Sequence, residues 1–107
     1  MDRMLTFSAE LYLGEGIKRK KLDKIKRKLI KQPLFAGVYV IALSRNPVDQ
    51  LEILEARQLA QRFYESHALH IVGVAGDRED ALQLVEKIVQ ECLDTRGDCE
   101  LKEYLTC

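Results

Sequence analysis

Two short apolar runs constrain the fold of this chain more than any other feature. Residues 37–44 and 70–76 are continuous, apolar and rich in β-branched side chains. Such runs are typical of strands that are covered on both faces within a parallel sheet. A helix is indicated after the second run, because Asp77 can cap its start and Gly97 supplies the residue that commonly ends a helix. The two runs therefore predict a buried sheet, with residues 37–44 as its central strand.

The N-terminal third predicts a strand followed by a helix. Apolar and polar residues alternate over residues 5–13, which is the period of a half-buried strand. Beyond Gly14 and Gly16, a narrow apolar stripe at helical spacing is formed by Leu22, Ile25 and Leu29. This helix is expected to stop before Pro33, because proline disfavours helical geometry in the residue that precedes it.

The remaining elements are set by weaker signals. Asn46 can cap a helix whose first turn accepts Pro47, and helix-forming residues continue, so we predict a helix over residues 47–65. A final short strand is predicted over residues 99–105. A competing interpretation makes residues 50–54 an extra strand.

The order of these elements predicts an α/β fold in one domain, residues 1–107. We expect a small, mainly parallel sheet of three to four strands, flanked by helices. The alternative, which uses the extra strand at residues 50–54, is a split ferredoxin-like α+β sheet.

Charge is sorted sharply along a chain whose net charge is zero. Residues 18–31 carry nine Lys or Arg side chains against Asp23 alone, a net charge of +8. Residues 48–107 carry six basic and thirteen acidic side chains, a net charge of −7. A partner therefore meets two different regions, and opposite charges on one chain favour self-association.

Composition narrows the class of protein. With 47% hydrophobic and 32% charged residues, the chain is typical of an ordinary globular protein. Its longest apolar run is too short for a bilayer, and its start lacks a secretory pattern, so we expect a soluble, cytoplasmic protein without membrane contact. Three cysteines without short paired spacing argue against a disulfide framework, and Cys92 is expected to pack as a small hydrophobe.

The candidate binding residues are the basic ones of the first helix. If these side chains face phosphates or carboxylates, they would bind an acidic partner electrostatically, and the affinity would fall as the salt concentration rises. The structural alternative is a solvated face, or one that meets the acidic half of the same chain or of a neighbour. The nine residues are Lys18, Arg19, Lys20, Lys21, Lys24, Lys26, Arg27, Lys28 and Lys31.

A second candidate region is the edge where the buried strands end, because open α/β sheets bind ligands beyond the carboxyl ends of their strands. Arg45, Asn46 and Asp77 mark this ligand edge. The glycines of residues 73–77 suggest a phosphate cradle, but no Lys-Ser/Thr pair follows and carboxylates crowd the helix start. We therefore predict that Asp77 is a helix cap.

Other chemistry has less support in the sequence. The carboxylates of residues 77–80 could collect Mg²⁺, yet acidic residues are common at helix starts. His67 and His70 lack the cysteine pair that would complete a zinc site. We expect no metal, no cofactor and no catalytic residue.

Four segments, residues 37–47, 50–53, 71–89 and 95–97, carry a resemblance to known sequences. They are similar to a group of small uncharacterised bacterial proteins that is associated with Gram-positive gut bacteria and sometimes with their mobile elements. This resemblance brings no activity, ligand or site residue. The mobile-element association implies at most a nucleic-acid setting.

Three functions follow as hypotheses. The preferred one is a non-enzymatic, self-associating interaction module whose basic helix engages an acidic protein surface. The second is a nucleic-acid-binding accessory protein that uses the same residues as phosphate contacts. The third is an enzyme with a site at the carboxyl edge of the sheet.

Overall fold

A four-stranded sheet with helices packed on both faces forms the core of the protein in a computed structural model that describes residues 5–43, 50–60 and 69–106. The strands are β1 (Leu5–Leu13), β2 (Tyr39–Leu43), β3 (Leu51–Glu55) and β4 (Leu69–Ala75). The helices are α1 (Leu22–Lys31), α2 (Arg78–Arg96) and α3 (Leu101–Thr106). Short 3₁₀ turns cover Arg19–Lys21, Pro33–Phe35 and Ala56–Ala60.

The sheet is mixed, with strand order β1-β4-β2-β3. The pair β1 and β4 is parallel, whereas β2 is antiparallel to both β4 and β3. The α/β class is confirmed and β2 lies inside the sheet, but the prediction of a mainly parallel sheet is wrong. The chain between Leu43 and Leu51 is too short for a parallel crossover, which takes about a dozen residues or more, so β3 returns as an antiparallel neighbour of β2.

The helix predicted over residues 47–65 is wrong where the structure describes that segment. β3 occupies Leu51–Glu55, so the extra strand of the competing prediction is present, and a 3₁₀ turn follows. Leucine and glutamate favour helices locally, but pairing with β2 prevails over this weak preference. The predicted cap Asn46 and the predicted first turn at Pro47 lie outside the described residues.

Alternate residues of the strands feed two separate apolar cores. In β2, Val40 and Ala42 face the core that includes Leu29 of α1, while Ile41 faces the core that includes Ile88 of α2. Both cores contain side chains with no solvent exposure. The sheet therefore places α1 on one face and α2 on the opposite face. Cys92 is fully buried in the second core, as predicted.

The helix predicted between Asp77 and Gly97 is confirmed as α2. The Asp77 carboxylate accepts a hydrogen bond from the Asp80 backbone N–H at 2.8 Å, and Gly97 ends the helix in the left-handed conformation. The strand predicted over residues 99–105 is wrong, because α3 forms there. Leu101, Tyr104 and Leu105 pack on the second core, and their spacings of three and four are those of one helix face.

Gly97 gives a first testable prediction. Its φ of 81° lies where an alanine is strained, whereas asparagine tolerates this conformation. Gly97→Ala is expected to lower the free energy of unfolding by about 1 kcal/mol, and Gly97→Asn by clearly less. Urea unfolding of the two variants measures this. Equal losses in both variants would contradict the assignment of strain.

Candidate functional site

The basic segment is an ordered part of the fold. The 3₁₀ turn Arg19–Lys21 leads directly into α1, which ends before Pro33 as predicted. Leu29 is fully buried, and Leu22 and Ile25 pack, partly buried, against the same core. The predicted stripe therefore docks α1 on the sheet and leaves the remaining arc of the helix to its charged side chains.

The nine predicted cations lie together on this turn and helix, which we call the basic surface. Seven of them are exposed, and Lys26 and Lys28 are half-buried. The Lys26 ammonium lies 5.4 Å from the centre of the Phe7 ring, at a distance suited to a cation–π contact. The nine comprise Lys18, Arg19, Lys20 and Lys21 before or within the turn, and Lys24, Lys26, Arg27, Lys28 and Lys31 in α1.

The charge of the basic surface is not neutralised by the part of the chain that the structure describes. Ion pairs there join Arg57 to Glu55 and Arg96 to Asp98. None of the nine cations lies within ion-pair distance of a carboxylate in residues 5–43, 50–60 or 69–106. Within these ranges, no intramolecular ion pair occupies the cations of the basic surface.

A groove runs beside α1 at the end of the sheet where β1 and β4 finish. It encloses about 360 Å³. Lysines and apolar residues line it together, so it combines positive charge with apolar character. Its lining comprises Lys18, Lys21, Lys24 and Lys28, the apolar residues Ile17, Ile25, Ala36 and Val38, and the glycines Gly16, Gly37 and Gly76.

The backbone donors nearest this groove are already occupied by the chain itself. The Asp80 carboxylate accepts hydrogen bonds from the backbone N–H of Glu15 and Gly16, each at 3.0 Å, and of Gly76 at 2.9 Å. A Cβ on Gly14 would overlap this carboxylate, so a larger residue there would displace the Asp80 side chain. The apparent phosphate cradle around Gly76 thus holds an internal carboxylate, and an external anion would meet lysines instead.

This arrangement fixes the protonation of Asp80. Burial of the carboxyl opposes ionisation, but the three backbone donors prevail and hold the pKa of Asp80 below its ordinary value. Asp80 is therefore ionised at neutral pH. It links the loop after β1 to the start of α2.

The predicted ligand edge is only partly within the described residues. Asp77 is an exposed helix cap, whereas Arg45 and Asn46 lie outside the described residues. Among the residues that are described, no group of three or more metal-ligating side chains is close enough to hold an ion.

A second, polar cavity of about 640 Å³ lies between β1, α2 and α3. The Tyr12 hydroxyl donates to Glu91 across 2.6 Å, and Arg19 and Tyr104 also line the cavity. Burial and the hydrogen bond to Glu91 raise the pKa of Tyr12, so the phenol stays protonated. This pair could not be predicted from the sequence, because Tyr12 falls at an ordinary outward position of an alternating strand.

Exposed apolar side chains form two further features that the sequence analysis missed. Leu34 and Phe35, directly after α1, are 63% and 71% exposed, and Leu82 and Leu93 of α2 are 45% and 39% exposed. A signal for the second pair was present in the sequence, because Leu82 and Leu93 fall outside the helical face formed by Ala81, Leu84, Ile88 and Cys92, which are buried. Large exposed side chains that cluster beside charge mark interaction surfaces.

Comparison with known proteins adds no relative. No protein-family model, curated protein or solved structure matches this chain. None of the helices in the described residues has both the length and the apolar character that crossing a bilayer requires.

Proposed function

We propose that this protein is a small, non-enzymatic interaction module that binds an acidic protein surface through its basic surface. One observation carries the proposal: nine cations, seven of them exposed, lie on an ordered, docked turn and helix, and no described carboxylate lies within ion-pair distance of them. Fixed charges of one sign attract an acidic partner and accelerate encounter with it.

The apolar pair Leu34 and Phe35 favours a protein as the partner. Both side chains are largely exposed and follow the last turn of α1, where Lys28 and Lys31 lie. An interface that combines an apolar centre with a charged rim is typical of protein–protein recognition. Nucleic-acid phosphates would use the lysines but not the leucine.

Nucleic acid is the second candidate function. The groove beside α1 offers four lysines that could follow a phosphate backbone, and Phe35 is exposed enough to stack on a base. Such binding would be independent of base sequence, because the described residues of the basic surface show no fixed set of donors aimed at a base edge.

Binding of labelled probes tests the proposal. One probe is an amphipathic peptide of glutamate and leucine, and the others are a single-stranded and a duplex oligonucleotide, all followed by fluorescence anisotropy at low and moderate salt. We expect the peptide to bind and Lys21→Gln/Lys24→Gln to raise its Kd by about 2- to 30-fold, the range for two exposed ion pairs. Salt is expected to weaken this binding.

A matched variant serves as the control. Arg78→Gln/Lys87→Gln removes the same number of cations from α2, and its Kd for the peptide is expected to stay close to the wild-type value. An equal loss in both variants would show that only net charge matters. Tighter binding to either oligonucleotide than to the peptide at moderate salt would favour the second candidate.

A further inference from the structure

The exposed apolar side chains fall into two groups on opposite faces of the sheet. Leu34 and Phe35 follow α1, which packs on one core, while Leu82 and Leu93 belong to α2, which packs on the other. The first group adjoins the basic surface. The second shares one side of α2 with the carboxylates of Glu79 and Glu86, while Arg78 lies about one turn before Leu82 and Arg96 about one turn after Leu93.

On α2 the second group forms a narrow stripe. Glu79, Leu82, Glu86 and Leu93 are all exposed, and their spacings of three, four and seven place them on one side of the helix. Neither Glu79 nor Glu86 has an ion-pair partner within the described residues. We call these four residues the acidic stripe.

The acidic stripe and the basic surface are complementary in chemistry and size. Leu82 and Leu93 are separated by about 16 Å along α2, and the ten-residue helix α1 is about 15 Å long. The acidic stripe combines exposed leucines with two carboxylates that have no ion-pair partner within the described residues. The basic surface carries the opposite charge, and Leu34 and Phe35 place exposed apolar side chains next to it.

We propose that the acidic partner of the basic surface is the acidic stripe of a second copy of this chain. This inference rests on the proposed function and names the partner. Because the two surfaces lie on opposite faces of the sheet, one two-fold contact cannot use both. Assembly is therefore head-to-tail, and every added copy leaves one basic surface and one acidic stripe free at the ends unless a ring closes.

Complementary variants test this geometry. The first variant, Lys21→Gln/Lys24→Gln/Phe35→Ser, alters only the basic surface and the apolar pair. The second, Glu79→Gln/Leu82→Ser/Glu86→Gln, alters only the acidic stripe. All six side chains are exposed, so circular dichroism and urea unfolding are expected to show native folds.

Light scattering of nucleic-acid-free protein then gives the mass over a concentration series. We expect the wild-type mass to rise with concentration and to fall toward the monomer in high salt, because screening weakens the contact. Each variant alone is expected to remain at the monomer mass of 12.3 kDa. An equal mixture is expected to form a dimer of twice that mass and nothing larger, because one intact basic surface meets one intact acidic stripe.

Several outcomes would overturn the inference. They are a wild-type protein that is monomeric at every concentration, a variant that still assembles alone, and a mixture that stays monomeric while the wild type associates. Association that appears only after an oligonucleotide is added would also overturn it. If the wild type is monomeric yet binds the glutamate–leucine peptide, the self-association is wrong and the proposed function stands; if the peptide does not bind either, both fail.

Discussion

Replacing Leu29 with alanine is expected to lower the free energy of unfolding by about 2–5 kcal/mol. Leu29 is the fully buried residue of α1, and it packs in the core that this helix shares with the sheet. Truncation removes apolar contacts and leaves a cavity that the surrounding strands can only partly close. The large loss follows directly from docking of the basic helix.

Leu34→Ala is the matched control for this measurement. It removes the same atoms from a side chain that is mostly exposed, so the expected change is within about 0.5 kcal/mol. Urea or thermal unfolding of the two variants measures the difference. Equal small losses at both positions would mean that α1 is not packed against the sheet in solution.

Replacing Asp80 with alanine is expected to cost about 2–4 kcal/mol at neutral pH. The carboxylate satisfies the backbone N–H groups of Glu15, Gly16 and Gly76, and its removal leaves the partly buried Gly76 donor without its partner. Glu86→Ala provides a control, because that exposed carboxylate on the same helix makes no hydrogen bond or ion pair within the described residues. Equal effects of the two substitutions would contradict the assigned role.

Two further experiments test whether Asp80 stabilises the fold through its backbone hydrogen bonds and not merely through its charge. One is the substitution Gly14→Ala, and the other is an acid titration. Gly14→Ala would force the Asp80 carboxylate out of place, so it is expected to reproduce the loss in the wild type and to cost little once Asp80 is alanine. The pKa of Asp80 is lowered by folding, so its stabilisation is present above the unfolded value of about 3.9 and is lost as pH falls through the folded pKa. The gap between wild type and Asp80→Ala should therefore close in acid.

Strong local patterns predicted most of the described elements. Alternation over residues 5–13 gave β1, the stripe of Leu29 and its neighbours gave α1, and capping at Asp77 with termination at Gly97 gave α2. These signals depend on nearby residues only. Such elements can be predicted from sequence because residue periodicity and capping residues are local signals that span only a few residues to a few helical turns.

The direction and neighbours of β3 could not be predicted in this way. Residues 51–55 are compatible with a helix or a strand. The choice depends on pairing with the free edge of β2, which the residues of the segment itself do not specify. The same holds for residues 101–106, whose helical spacing was short enough to be mistaken for strand alternation. Contacts distant in sequence decided both segments.

The sequence predicted which basic residues form the candidate site, but it did not predict the groove beside them. All nine cations were identified from the sequence, yet the groove beside α1 depends on residues 36–38 and Gly76, which only the fold brings near the lysines. The role of Asp80 was also hidden, because a carboxylate in the first turn of a helix usually complements the helix dipole. Its three backbone contacts come from two loops that are far apart in sequence.

Amide hydrogen exchange across residues 22–31 of the native protein shows whether the basic segment is a docked helix with outward cations. Amides bonded within α1 are expected to exchange far more slowly than in an unstructured peptide, and Leu29→Ala is expected to accelerate their exchange. Exchange at random-coil rates throughout this segment would contradict a docked helix, because a flexible tail would carry the same charges without forming a surface.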